Sequence, residues 1–161
     1  MANPEEKVIE ALQQLGVSYE LLTIDPEFSD TAAFCEKYGY PLEQTCNTII
    51  VTSKRGPKKY AACVVLAHTK LDVNQQAKNL LATSKASFAT ADETIALTGM
   101  QVGGVTPFAL PADLPLYVDA QVMQREWVIL GGGGRGIKIK LTPEVFNQLG
   151  AQVVPGLASS W

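Results

Sequence analysis

Histidine is almost missing from this chain: His68 is the only one in 161 residues. A single histidine leaves no His-x-His or His-Glu-x-x-His spacing, which excludes the common zinc-hydrolase motifs, and no Ser-His-Asp triad is legible. Cysteine is scarce too. Cys35, Cys46 and Cys63 are odd in number and show no Cys-x-x-Cys spacing, so the reading is buried, reduced thiols and no disulfide framework. No apolar run approaches the roughly 20 residues that span a bilayer. The N-terminal Met1-Ala2-Asn3-Pro4-Glu5-Glu6 is acidic and has no hydrophobic h-region, so no secretory signal is expected. Basic residues do not prevail: 13 Lys and Arg stand against 16 Asp and Glu, a net charge of −3. Non-specific duplex binding normally needs the opposite sign, so any nucleic-acid contact must rest on a small patch. These absences point to a cytoplasmic protein without a metal or other cofactor.

Apolar residues make up 47% of the chain and charged residues 18%, a globular balance with enough apolar surface for a real core. No linker, repeat or composition shift divides it, so residues 1–161 are expected to form one domain. Asn3-Pro4-Glu5-Glu6 reads as a helix start with Asn3 as N-cap and Pro4 at N1. Val8, Ile9, Leu12 and Leu15 follow at helical spacing, and Gly16 stops the helix. Tyr19–Ile24 reads as a strand, and Asp30–Tyr38 as a short helix ended by Gly39 and Pro41. Asn47–Thr52 and Tyr60–Leu66 form a hairpin around the turn at Ser53–Lys59. Asp72 with Gln75 opens a helix to about Leu81, and Thr90 with Glu93 opens another to Gly99. Ser87–Ala89, Leu116–Val118 and Ala151–Val154 read as short strands. Trp127–Leu130 and Ile137–Leu141 read as a strand pair, and Thr142-Pro143 caps a last helix to Gly150. The tail from Gly156 to Trp161 is expected to fray. Short strands broken by helices without β-α-β alternation predict an α+β fold with a largely antiparallel, mixed sheet.

Two glycine-dense stretches stand out. One is Gly99-Met100-Gln101-Val102-Gly103-Gly104-Val105-Thr106-Pro107-Phe108; the other is Gly131-Gly132-Gly133-Gly134-Arg135-Gly136. The second satisfies G-x-G-x-x-G, but a dinucleotide site needs a helix after that loop. Here Ile137-Lys138-Ile139-Lys140-Leu141 alternates with period two and reads as a strand. A flexible hairpin loop or the backbone wall of a ligand pocket is left, and glycine suits both.

In this order, with Leu116-Tyr117-Val118-Asp119 between them and Thr48-Ile49-Ile50-Val51 and Lys70-Leu71-Asp72 before them, these motifs resemble the YbaK family, the prolyl-tRNA synthetase-associated editing domains. The resemblance runs over nearly the whole chain. It implies a curved, barrel-like mixed sheet surrounded by helices, and hydrolysis of wrongly charged aminoacyl-tRNA at the terminal ribose ester. It implies the aminoacyl-tRNA acceptor end as partner, with an aminoacyl-tRNA synthetase as a further one. Carried over by position, main-chain amides of Gly103 and Gly104 would stabilise the oxyanion. Gly133, Gly134 and Arg135 would frame the pocket, with Thr106, Asp119 and Lys70 as auxiliary binding residues. The acyl side chain would be sorted by size, worth about 1–3 kcal/mol per methylene.

The chain departs from the family pattern at one place. Where relatives carry a lysine before the pocket strand, Asn47 stands, with one amide donor group, one acceptor and no charge. Hydrogen bonds to charged groups are worth about 1.5–3 kcal/mol, so the loss translates to roughly 10- to 100-fold in rate. Lys70 or Arg135 could replace the cation, specificity could have moved, or the chain could be a non-catalytic module binding an aminoacyl or nucleotide end. Other residues have ordinary readings beside functional ones. His68 reads as a hydrogen-bonded residue after a strand, and Trp127 as core. Lys54, Arg55, Lys58 and Lys59 read as a solvated hairpin tip that could also grip phosphates.

Overall fold

The computed structural model describes residues 3–160. Met1, Ala2 and Trp161, including the end of the tail expected to fray, lie outside the described residues.

Helix α1 spans Pro4–Leu15, and its start is the capping box expected from the sequence. The Asn3 side chain accepts from the Glu6 N–H at 2.8 Å, and Gly16 closes the helix in the left-handed region at φ 70°. Strand β1 (Glu20–Thr23) follows, then a 3₁₀ turn at Pro26–Phe28 and helix α2 (Thr31–Tyr38). Strands β2 (Cys46–Ser53) and β3 (Tyr60–Leu66) form the expected hairpin, pairing Asn47 with Val65 and Thr52 with Tyr60. Strand β4 (Thr69–Leu71), helix α3 (Lys78–Leu80) and strand β5 (Ala86–Phe88) come next. Helix α4 (Ala91–Thr98) is opened by the reciprocal Thr90–Glu93 cap and closed by Gly99. Strands β6 (Leu116–Asp119), β7 (Val128–Gly131) and β8 (Ile137–Leu141), helix α5 (Val145–Gln148), and strands β9 (Gln152–Val154) and β10 (Ala158–Ser160) complete the chain.

The strands form three sheets, ordered β5-β2-β3-β6-β9, β1-β8-β7 and β10-β4. Among the described residues β3–β6 and β6–β9 are the parallel strand pairs and the other strand pairs are antiparallel, so the arrangement is mixed and largely antiparallel as expected. The sheets meet rather than close into one barrel: a parallel bridge from Thr45 to Ile129 joins β7 to the start of β2. Strand β3 is the spine. Val64 and Leu66 pack into one core with Val8, Leu12, Leu130, Ile139 and Phe146. Ala61, Cys63 and Val65 pack on the other face with Val51, Leu71, Leu81 and Leu157. Burial on both faces explains why Tyr60–Leu66 is a continuous apolar run rather than an alternating one.

Two expectations are corrected. The tail is not frayed through its described length. Leu157 is fully buried, its carbonyl accepts from the Asp72 N–H at 3.0 Å, and Ala158–Ser160 pairs antiparallel with β4. The helix expected from Asp72 to Leu81 begins as a wider π turn over Val73–Ala77, with the Ala77 N–H on the Asp72 carbonyl. Val73, Ala77 and Leu81 are all buried in one core at spacings of four, and a turn wider than an α-helix keeps such residues on one face. The three cysteines are free and buried, and burial pushes the Cys63 thiol up to about 12. Among the described residues no helix is long and apolar enough to cross a membrane.

Candidate functional site

The two glycine stretches fold against each other. The Gly133 N–H donates to the Gly104 carbonyl at 2.7 Å, and the Gln101 N–H donates to the Gly133 carbonyl at 3.0 Å. The approach at Gly104 is so close that a Cβ there would lie 2.2 Å from the Gly134 carbonyl oxygen. Gly103, at φ 85°, occupies backbone space that side chains rarely tolerate.

In front of this seam lies a cavity of about 350 Å³. Its walls are Cys46–Ile49 of β2, Gly103 and Val105 of the first glycine stretch, Gly131 and Lys138 of the β7–β8 pair, and Asp30-Thr31 at the start of α2. The cavity exists because β2 is only partly covered on this side. The Ser53 N–H and the Thr45 carbonyl bond towards β3, and the Ala89 N–H reaches the Ile50 carbonyl from the opposite side. Alternation along an antiparallel strand therefore turns the main-chain groups of Thr48 away from β3. Pairing with β5 begins only at Val51, so Thr48 stands on an open strand edge.

The cavity is rich in donors. The Thr31 hydroxyl donates to Asn47 Oδ1 at 2.6 Å, which leaves the Asn47 Nδ2–H₂ group for a guest. Thr48 Oγ1 is buried with no partner among the described residues. The Gly103 N–H makes no hydrogen bond with the described residues. Its peptide is nevertheless held firmly: Arg135 Nη1 donates to the Val102 carbonyl at 2.6 Å, and Nη2 donates to the Pro26 carbonyl at 3.1 Å. A guanidinium on that carbonyl polarises the peptide and strengthens the Gly103 N–H as a donor. The acceptor at the rim is Asp30. It is the N-cap of α2, yet its carboxylate makes no capping bond and lies 3.6 Å from Arg135 Nη1 instead.

Lys138 is the residue that sequence reasoning missed. It is 4% exposed, and Nζ donates to the Ser29 carbonyl at 2.6 Å and the Gly103 carbonyl at 3.1 Å. Burial pulls its ammonium down to about 8. In sequence, the alternation of Ile137–Leu141 looks like an ordinary strand with lysines turned to solvent. What sets Lys138 apart is that the Ser29 and Gly103 carbonyls close over its end of β8, whereas Lys140 on the same strand reaches Trp127 and Glu20.

The residues singled out from the sequence divide accordingly. Asn47 and Gly103 line the cavity. Gly104 sits behind Gly103, and its N–H is already taken by the Gln101 carbonyl at 2.9 Å, which leaves Gly103 as the open amide. Gly133 and Gly134 are buried against Pro4 and Glu5 of α1 and brace the seam from behind. Arg135 acts through the Val102 peptide and does not line the cavity. Thr106 is fully buried outside the lining, its hydroxyl without a partner among the described residues. Asp119 is fully buried at the end of β6, where its Oδ1 accepts from the Gln121 N–H at 3.3 Å and burial raises its carboxyl. Lys70 stands on β4 opposite Ser159 and is not part of the lining. His68 lies between β3 and β4, also outside it. Trp127, read as core, is only partly buried, beneath the Lys140 ammonium at 4.3 Å.

Residues 25–149 match the family model of the aminoacyl-tRNA editing domain. The chain is 28% identical over 101 residues to a protein of Enterococcus faecalis named "Putative Cys-tRNA(Pro)/Cys-tRNA(Cys) deacylase EbsC". It is 33% identical over 64 residues to the uncharacterized protein YwhH of Bacillus subtilis. These matches cover 63% and 40% of this chain, and 59% and 41% of the two relatives. Among solved structures, hypothetical protein APE2540 superposes with a TM-score of 0.85 at 30% identity, over 96% of this chain and 100% of that one. A "putative trans-editing enzyme for prolyl tRNA synthetase" superposes at 0.80 with 23% identity, over 96% and 97%; at that identity it shows the fold.

Proposed function

The chain belongs to the aminoacyl-tRNA editing domain family, and from that premise we propose that it is a trans-acting deacylase of misacylated tRNA in the cytoplasm. Water adds to the acyl carbonyl carbon of the terminal ribose ester. The carbonyl oxygen takes up negative charge; as the carbonyl re-forms, the bond from the acyl carbon to the ribose oxygen breaks, and that oxygen leaves as a hydroxyl with a proton from the added water. The observation that carries this reading is the unpartnered Gly103 N–H beside the cavity, on a peptide pinned by Arg135. A donor fixed in advance where charge develops lowers the barrier without reorganisation. Asn47 Nδ2 stands on the facing wall as a neutral donor. Asp30 supplies the acceptor that the substrate's α-ammonium requires. Cys46, Ile49 and Val105 are the apolar part of the lining, which suits a small side chain.

The acceptor end would be gripped farther along β2. Lys54, Arg55, Lys58 and Lys59 are all exposed at the hairpin tip. Lys85 is drawn beside them by the bond from the Lys54 N–H to its carbonyl at 2.7 Å. Asn47 and Lys54 lie about 23 Å apart along the strand at ordinary strand rise. That is a distance a single-stranded tRNA end can bridge before its stem phosphates begin. Replacing Lys54, Arg55 and Lys59 together by Ala is expected to raise KM for tRNA several-fold. The salt dependence should become shallower by about 0.7–0.9 in log–log slope for each phosphate no longer neutralised. Hydrolysis of a small aminoacyl-nucleoside ester should not change.

The test of the function is a panel of mischarged tRNAs assayed with the native protein and with Asn47→Lys. The reading expects native turnover of esters of small amino acids, well above spontaneous hydrolysis. Turnover only in the Lys variant would favour a non-catalytic binding module, the reading that Asn47 itself keeps open.

A further inference from the structure

Lys138 is a buried cation that makes no ion pair with the described residues. The groups facing it are the Asp30 carboxylate and Cys35 thiol of the α2 region, the Arg135 guanidinium of the glycine loop, and the Phe34 ring 5.6 Å from Nζ. The Asp30 charge favours the ammonium from a distance, but burial outweighs it. Asp30 is the ion-pair partner of Arg135, and its side chain is 69% exposed. Burial raises the Cys35 thiol, which keeps it neutral at physiological pH. Among the described residues no carboxylate lies within 4 Å of Nζ. A cation in such a place is costly unless something offsets its desolvation.

Holding the backbone together does not require that cost. Lys138 ties Ser29 to Gly103, but the Ser29 hydroxyl already donates to the Gly103 carbonyl at 2.9 Å. Arg135 already joins Pro26 to Val102. The same two segments are thus fastened twice without Lys138. The two carbonyls occupy two of the three N–H directions of the ammonium, and Lys138 lines the cavity.

We propose that Lys138 is a catalytic residue of this site, whose third N–H and positive charge meet the acyl oxygen as it becomes an oxyanion. This rests on the deacylase reading and names the second donor beside Gly103. No bond to Lys138 forms or breaks; the ammonium donates throughout and keeps its proton.

The experiment compares native protein with Lys138→Gln and Lys138→Arg in single-turnover deacylation of the best substrate of the panel across pH 6–9.5, spontaneous hydrolysis subtracted. The expected result is a kcat about 100-fold lower in Lys138→Gln with KM little changed, as for loss of one oxyanion donor. The native kcat should fall as the ammonium is lost near pH 8 relative to the Lys138→Arg profile, because guanidinium stays charged. Equal kcat in native and Lys138→Gln proteins, or a native rate that rises through that range relative to Lys138→Arg, overturns the proposal. A raised KM at unchanged kcat also overturns it, since it makes Lys138 a binding residue only. If Lys138→Gln does not fold, the native and Lys138→Arg profiles decide alone. Absence of native turnover on every substrate defeats the deacylase reading instead.

Discussion

Gly103→Val should leave a folded protein that no longer deacylates. The residue has φ 85°, where a β-branched side chain is strained by about 1–3 kcal/mol. A Cβ would lie 2.7 Å from Arg135 Nη1 and 3.0 Å from both Asp30 Oδ1 and Ser29 Oγ. All three are ends of side chains, so they can retreat. The retreat of Arg135 releases the Val102 carbonyl, and with it the peptide that carries the Gly103 N–H. The expected result is a kcat lower by about 10²–10³, with the native far-UV spectrum and cooperative unfolding retained. Single-turnover kinetics beside a urea titration check both parts. An active Gly103→Val protein would remove this amide from the mechanism.

Gly104→Ala has the opposite signature. Its Cβ would meet the backbone of Gly134 at 2.2 Å, and main chain on the facing loop cannot swing aside. Relief requires the two glycine stretches to part, and parting breaks the Gly133–Gly104 and Gln101–Gly133 bonds. Overpacking of about 1–3 kcal/mol and two hydrogen bonds at about 0.5–1.5 kcal/mol each give about 2–6 kcal/mol of lost stability. For a chain of this size that lowers Tm by roughly 10 °C. Gly99→Ala is the control. Its φ is 72°, but nothing lies within 4 Å of the added Cβ, so only about 1 kcal/mol of backbone strain is expected. Calorimetry on both variants checks the contrast. Equal Tm losses would mean that the seam is looser than the close approach at Gly104 implies.

Features carried by neighbours in sequence were legible before the fold. The Asn3–Glu6 and Thr90–Glu93 caps depend on residues three apart, the β2–β3 hairpin on two continuous apolar runs about a turn, and the strand after the second glycine stretch on simple alternation. The glycine density marked where main chain meets main chain. What could not be read was which side of that seam faces the cavity. Gly133 and Gly134 face α1, and that choice is made by Pro4 and Glu5 at the far end of the sequence. Strands β4 and β10 exist as each other's only sheet partner among the described residues, a pairing between distant parts of the chain that no local pattern marks. Lys138 and Lys140 look alike in sequence, two lysines in one alternating strand. Only the carbonyls of Ser29 and Gly103 within reach of Lys138 separate a buried cation from a half-exposed one. The link between Thr31 and Asn47, which fixes the donor face of that amide, likewise exists only once α2 is laid against β2.

The central claim is that the cavity between β2 and the glycine seam receives the aminoacyl ester with its carbonyl on the Gly103 amide. The direct measurement is an NMR titration of ¹⁵N-labelled protein with a 3′-aminoacylamino-3′-deoxyadenosine, an amide that mimics the ester but resists hydrolysis. Saturable shifts are expected at the Gly103 amide, moving downfield as it gains a hydrogen bond, and at the Asn47 side-chain amide. Shifts gathered instead around Met123, Arg125 and Thr142, which line a separate cavity, with the Gly103 resonance unmoved, would contradict the claim.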